Sequence, residues 1–171
     1  MNDSMPGKDE LLKRLDEWEI PFSCEEHDPV LNMAESGKLT LSLKGARCKN
    51  LLLQDKTGHY FLVVTKAAKA LDLAGIAETL GSKRLSFASS DKLFELMGIR
   101  AGSLSPLALV NDTARRVRLI LDSDLIREST FLFHPLENSA SVALSKHALE
   151  AFVAGIGHRI EWTELASRAH A

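Results

Sequence analysis

The sequence predicts an α+β fold built on a mixed, curved β-sheet with helices around it, and three observations carry that reading. Strand-like and helix-like segments are interspersed without a regular βαβ rhythm. Two apolar runs, Leu51–Leu53 and Tyr60–Val64, flank the turn residues Asp55, Lys56, Thr57 and Gly58, the pattern of an antiparallel hairpin. No phosphate-binding GxGxxG or GxxxxGK[ST] occurs, which argues against a doubly wound nucleotide-binding fold. The 171 residues suit a single domain, 1–171, with a sizeable core.

The elements follow in order. Residues 8–19 read as an amphipathic helix with Leu11, Leu12, Leu15 and Trp18 on one stripe, stopped by Pro21. A strand is expected over 22–26, a short helix over 32–37 and a short strand over 39–43. After the hairpin, 71–80 reads as a helix capped by Asp72 and closed by Gly81. An extended piece over 84–87 precedes a helix over 90–97, with Asp91 at its start and Gly98 past its end. The loop GIRAGSLSP follows. Leu107–Val110 and Arg116–Leu121 then read as an apolar strand pair around the turn NDT. Strands are expected over 131–133 and 141–144. Ser145 is suited to cap a helix over 146–154 that Gly155 ends, and a strand over 159–162 and a short C-terminal helix complete the chain.

Composition narrows the function classes. The content is 45% hydrophobic and 26% charged, with no apolar stretch of membrane-spanning length and no signal-like N-terminus, so a cytosolic location is the expectation. Cys24 and Cys48 lie far apart and the six histidines are scattered, so reduced thiols and no metal are expected. The net charge of −2 gives no global pull toward nucleic acid, but local basic groups stand at Lys44, Arg47 and Lys49, at Lys83 and Arg84, and at Arg115, Arg116 and Arg118. The last group reads as the solvated face of an edge strand.

Lys49 is the residue that asks for an explanation, because it places an ammonium immediately before an apolar run. A lysine snorkelling from a strand end satisfies that pattern. So does a cation that holds a phosphate or ribose, or that stabilises an oxyanion. His134, in the run FHP, suits either a packed strand end or a site residue that orients water or substrate. The loop Gly102-Ser103-Leu104-Ser105-Pro106 is either a connection stiffened by proline or a cradle whose glycine lets backbone N–H groups approach a ligand.

Four segments taken together, EEHDPV at 25–30, KNLLLQDKTG at 49–58, GSLSPLALVND at 102–112 and FHPLENSASVALS at 133–145, resemble the YbaK / prolyl-tRNA synthetase-associated editing domain family. GSKRLSF at 81–87 supports the match, which runs from about Lys8 to Trp162. The resemblance is to the family's freestanding ProX (ProXp-ala) members, deacylases of Ala-tRNA(Pro), and implies a barrel-like sheet and no cofactor. It implies a trans-editing hydrolase that cleaves a wrong amino acid from the acceptor end of tRNA(Pro), alone or beside prolyl-tRNA synthetase. A proline pocket cannot strongly exclude alanine, because each lost methylene changes binding by only roughly 1–3 kcal/mol, so a second, smaller site is needed. On this resemblance Lys49 and His134 are the catalytic candidates. Asn50, Val30, Leu31 and the Gly102, Ser103, Leu104, Ser105, Pro106 loop are the substrate-binding candidates. Members of the family are described as using the substrate's own ribose hydroxyl to help the attacking water, so few acid/base groups are demanded of the protein. Leu31 and Asn32 stand where members often carry an aromatic residue and a threonine, which leaves the pocket size open. A deacylase for Cys-tRNA(Pro) and a non-catalytic tRNA- or synthetase-binding module are the alternatives.

Overall fold

The computed structural model describes residues 5–29 and 42–168. The expected helix at 32–37, nearly all of the strand expected at 39–43, and the candidates Val30 and Leu31 lie outside those residues. Ser42 and Leu43 form a bend.

Among the described residues, eight strands form one mixed sheet: β1 (Ser23–Glu26), β2 (Ala46–Gln54), β3 (Tyr60–Lys66), β4 (Ser86–Phe87), β5 (Val117–Asp122), β6 (Thr130–Phe133), β7 (Ala140–Ser145) and β8 (Ile160–Thr163). Their spatial order is β1-β7-β6-β2-β3-β5-β8, with β4 pairing the far end of β2. The order is open, ending at β1 and β8. The pairs β6/β2, β3/β5 and β5/β8 are parallel and the rest antiparallel. Four α-helices stand among the described residues: α1 (Lys8–Glu17), α2 (Leu73–Leu80), α3 (Ser90–Met97) and α4 (Lys146–Gly155). None is long and apolar enough to cross a membrane.

The β2–β3 hairpin follows the sequence expectation, with Leu51 opposite Val63 and Leu53 opposite Phe61. Asp55 closes its turn by accepting from the backbone N–H groups of Thr57 and His59. Helix α3 begins one residue after Ser89, whose hydroxyl accepts from the Lys92 N–H, and ends at Gly98 in the left-handed region. Helix α4 is capped as expected, by Ser145 accepting from the Ala148 N–H.

Three expectations are corrected. Leu107–Val110 is not a strand but part of a buried 3-10 helix, Pro106–Asn111, because an unbroken apolar run fits either a strand or a buried turn of helix. Strand β5 is not an edge: it lies between β3 and β8, and the charge of Arg118 is met by Glu161 of β8 at 2.6 Å and 2.9 Å. After β8 the described chain forms no helix; it stays extended and Ser167 bridges to Leu71.

The sheet separates two cores. One face carries Leu52, Leu62, Val64, Leu119, Leu121, Phe131, Phe133, Val142 and Leu144, covered by α1, α3, α4 and the 3-10 helix. The opposite face of β2, β3 and β5 carries Leu53, Phe61, Val63 and Ile120 under Ile76 and Ala77 of α2. Burial of these side chains stabilises each by about 1.5–3 kcal/mol relative to exposure. It also leaves one end of the second face, beyond Leu51, to be filled by polar groups.

Candidate functional site

Lys49 lies inside a strand rather than before one, because β2 already starts at Ala46. Its neighbours on the strand split by the pleat. Ala46, Cys48 and Leu52 turn to the main core, and Leu51 and Leu53 to the core under α2. Lys49 therefore shares the second face, while Asn50 shares the first. Asn50 Oδ1 is buried there without a hydrogen-bond partner. The two residues adjacent in sequence are thus on opposite sides of the sheet.

The parallel pairing of β2 with β6 sets Arg47 opposite Leu132. Two residues further along each chain stand Lys49 and His134, so the pleat brings both candidates to one side. Ser141 joins them, since β7 continues the pairing that sets Phe133 opposite Val142. His27 closes the group from the end of β1: its Nε2 lies 2.9 Å from Ser141 Oγ, its Nδ1 2.8 Å from the Asp28 carbonyl, and its ring meets that of His134 edge-on at 6.0 Å. His27 stands in a segment that the sequence marks as bordering the pocket; its approach to His134 follows from a contact 107 positions apart and is not legible in the motif.

His134 Nδ1 lies 2.8 Å from the Ala140 carbonyl. A carbonyl only accepts, so Nδ1 carries a proton, and in the neutral ring Nε2 is the acceptor. Burial lowers the His134 pKa from its ordinary value, His27 lowers it further, and the bond to Ala140 opposes them. The ring is therefore a neutral base at pH 7.

The predicted loop is tied to this histidine. Ser105 is fully buried; its hydroxyl donates to the His134 carbonyl at 2.8 Å and accepts from the Leu107 N–H at 3.2 Å. Gly102 has φ 91°, a conformation that favours glycine. Ser103 is buried and its N–H donates to the Arg100 carbonyl, so that amide is already used. Leu104 packs against the main core, and Pro106 opens the 3-10 helix.

On the other flank, Lys49 Nζ donates to the backbone carbonyl of Lys69. Burial lowers the Lys49 pKa, and the nearby Arg168 charge adds to the effect. The Lys69 ammonium binds Asp122 at 2.7 Å and Asp124 at 3.1 Å. Asp122 is fully buried and also accepts from Thr65 Oγ1 at 2.6 Å. Cys48 plays no part in this chemistry: burial pushes its thiol up to about 12, which keeps it protonated. No cluster of His, Cys, Asp and Glu suited to a metal occurs among the described residues.

This arrangement sets a neutral imidazole and an ammonium on one polar face, with a buried loop anchored behind. It suits attack of water on a carbonyl whose oxygen gains negative charge. The aminoacyl-tRNA editing domain model matches residues 27–152. The chain is 36% identical over 163 residues to the Prolyl-tRNA editing protein ProX of Acetoanaerobium sticklandii, covering 94% of this chain and 99% of that one. It is 34% identical to the prolyl-tRNA synthetase associated domain-containing protein 1 of Danio rerio, covering 88% and 81% of the two chains. A solved structure described as a candidate trans-editing enzyme for prolyl-tRNA synthetase shares the fold at TM-score 0.70 and 17% identity, covering 95% and 99%. The chain belongs to the aminoacyl-tRNA editing domain family, and its enzyme class is that of the aminoacyl-tRNA hydrolases.

Proposed function

We propose that this protein is a trans-editing deacylase that hydrolyses mischarged tRNA(Pro), with alanine as the amino acid removed. The observation that carries the reading is the near full-length similarity to a protein named for prolyl-tRNA editing. The side shared by Lys49 and His134 supports it.

In the proposed reaction, the oxygen of water bonds to the ester carbonyl carbon and the bond to the ribose oxygen breaks. The proton released by water ends on that ribose oxygen. Neutral His134 accepts a hydrogen bond from the attacking water through Nε2 and aims it. Lys49 spends one of its three N–H donors on the Lys69 carbonyl. The other two are available to the oxyanion or to a phosphate of the tRNA end. Val30, Leu31 and the Gly102–Pro106 loop are assigned to the amino-acid moiety. Asn50, a substrate-binding candidate by the family resemblance, stands on the face opposite Lys49 and is assigned a supporting role there. The acceptor end of tRNA(Pro) is the partner, with prolyl-tRNA synthetase as a second one, and the compartment is the cytosol.

The test is the deacylation rate of Ala-, Cys-, Ser- and Pro-tRNA(Pro) by the wild type and Lys49→Ala. Rapid loss of alanine alone, slowed by more than about a hundredfold in the variant, is expected. A preference for cysteine would keep the reaction and move the substrate. Binding of tRNA without hydrolysis of any of the four would reduce the protein to a binding module.

A further inference from the structure

We infer that Lys69 is a positioning residue for Lys49, holding the Lys49 ammonium in place through its backbone carbonyl while its own side chain is clamped by Asp122 and Asp124. The inference rests on the deacylase reading, since it concerns the ammonium that reading uses. Lys69 follows β3 in a short turn, where its N–H donates to the Lys66 carbonyl at 3.1 Å. Its carbonyl accepts from Lys49 Nζ. Its ammonium reaches across to the end of β5, 53 positions away, where Asp122 Oδ2 takes it at 2.7 Å.

That carboxylate is itself locked. Its Oδ2 also accepts from Thr65 Oγ1 at 2.6 Å, and its Oδ1 accepts from the Asp124 N–H at 3.1 Å. Thr65 is the residue opposite Lys49 in the hairpin register. Asp122 thus fixes two of the groups that border Lys49: its cross-strand neighbour Thr65 and the turn whose carbonyl Lys49 binds. Lys69 is 15% exposed and Asp122 not at all, so the Asp122 half of the clamp is shielded from competing water.

A lysine chain has four rotatable bonds and loses little by wandering. An ammonium that must meet a developing oxyanion needs one resting place, and a displacement of about 1 Å can cost on the order of a hundredfold in rate. A merely stabilising ion pair would need no contact between the Lys69 carbonyl and Lys49. Charge also argues for the clamp: burial opposes ionisation of Lys69, but its bonds to Asp122 and Asp124 outweigh burial and raise its pKa.

The test compares Lys69→Met and Lys69→Arg, each alone and combined with Lys49→Ala. Lys69→Met is expected to lower kcat on Ala-tRNA(Pro) by about tenfold or more, with KM within about twofold, because the lost element is orientation. Lys69→Arg is expected to restore most of kcat, and Lys69→Met is expected to add no loss in the Lys49→Ala background. An unchanged kcat in folded Lys69→Met, or losses that add in the double variant, would overturn the inference. A second readout needs no activity: acetic anhydride labelling of Lys49, followed by peptide mass spectrometry. Faster labelling of Lys49 in Lys69→Met than in wild type is expected, and equal labelling would overturn the inference even if the wild type deacylates nothing. Should Lys69→Met fail to fold, Asp124→Asn, which removes only the half-exposed partner, takes its place with the same readouts.

Discussion

Two buried aspartates, Asp112 and Asp122, bracket strand β5, and they are satisfied in different ways. Asp112 accepts from the Arg116 N–H at 3.0 Å and the Val117 N–H at 2.9 Å, and His158 Nε2 stands 3.0 Å from it. Two of its three partners are backbone groups within five residues, so it closes a turn. Asp122 accepts from Thr65, Lys69 and the Asp124 N–H, and two of those partners are side chains more than fifty positions away. A carboxylate held by nearby amides specifies local shape. One held by distant side chains ties elements together and can order a group that touches substrate. The Asp112 end of the strand is therefore expected to govern stability, and the Asp122 end to govern chemistry.

The largest expected effect breaks the chemical end alone. Lys49→Ala should keep the fold, since Lys49 sits at the polar margin of its core, and should lower deacylation by more than about a hundredfold, the scale of losing a preorganised oxyanion donor. Full activity in the variant, or its unfolding in a circular dichroism melt, would remove the claim. Asp112→Ala should do the converse. It leaves the buried Val117 amide, the part-buried Arg116 amide and the His158 ring without this partner, which costs roughly 3 kcal/mol in urea-unfolding stability, while the rate per folded molecule stays near wild type.

Acid sharpens the contrast. Burial opposes ionisation of Asp122, but Lys69, Thr65 and the Asp124 amide hold its pKa below the usual value. The folded-state pKa is the lower one, so its contribution to stability is complete above the unfolded pKa near 4. It is lost as pH falls through the folded value. His134 follows the same sign at higher pH. Its folded pKa lies below 6.5, so stability from the neutral ring is present above 6.5 and lost as pH falls toward the folded pKa. The acid limb of kcat/KM should accordingly lie below about pH 6.5, and His27→Asn, which removes a repelling charge, should move it upward. A limb at or above 6.5 would show that His134 does not serve as a neutral base. The smallest effect expected is that of Ser105→Ala. It deletes the bond to the His134 carbonyl and the acceptor of the buried Leu107 N–H, and should lower stability by about 2 kcal/mol and activity by less than about tenfold.

Much of the fold was legible because local signals agreed with the final packing. Ser90–Met97 and the Ser145 cap match the structure to the residue. The Asp55–Gly58 turn set the hairpin register, which a one-residue slip would have inverted. Where the reading failed, a distant partner decided the outcome. Arg116 and Arg118 suggested an edge strand, yet the Arg118 guanidinium lies over Phe61 and meets Glu161, which lets an internal strand carry the charge. Ala46–Lys49 lacked the apolar run of a strand because only Ala46 and Cys48 turn to a core there, while Arg47 and Lys49 alternate with them on the other face.

The site divides in the same way. Which residues to consider follows from the amino-acid order alone: Lys49, His134, the Gly102–Pro106 loop and the segment at His27 stand in recognisable motifs in a recognisable order. Their relations come from the pairing of the strands. It put Lys49 and Asn50 on opposite faces, because successive strand residues must alternate. It joined Ser105 to His134, and it placed Lys69 and Asp122 behind Lys49. Those relations arise from sheet register and from hydrogen bonds between residues 20 to 57 positions apart. No motif spacing encodes such contacts, because they exist only once the strands have paired.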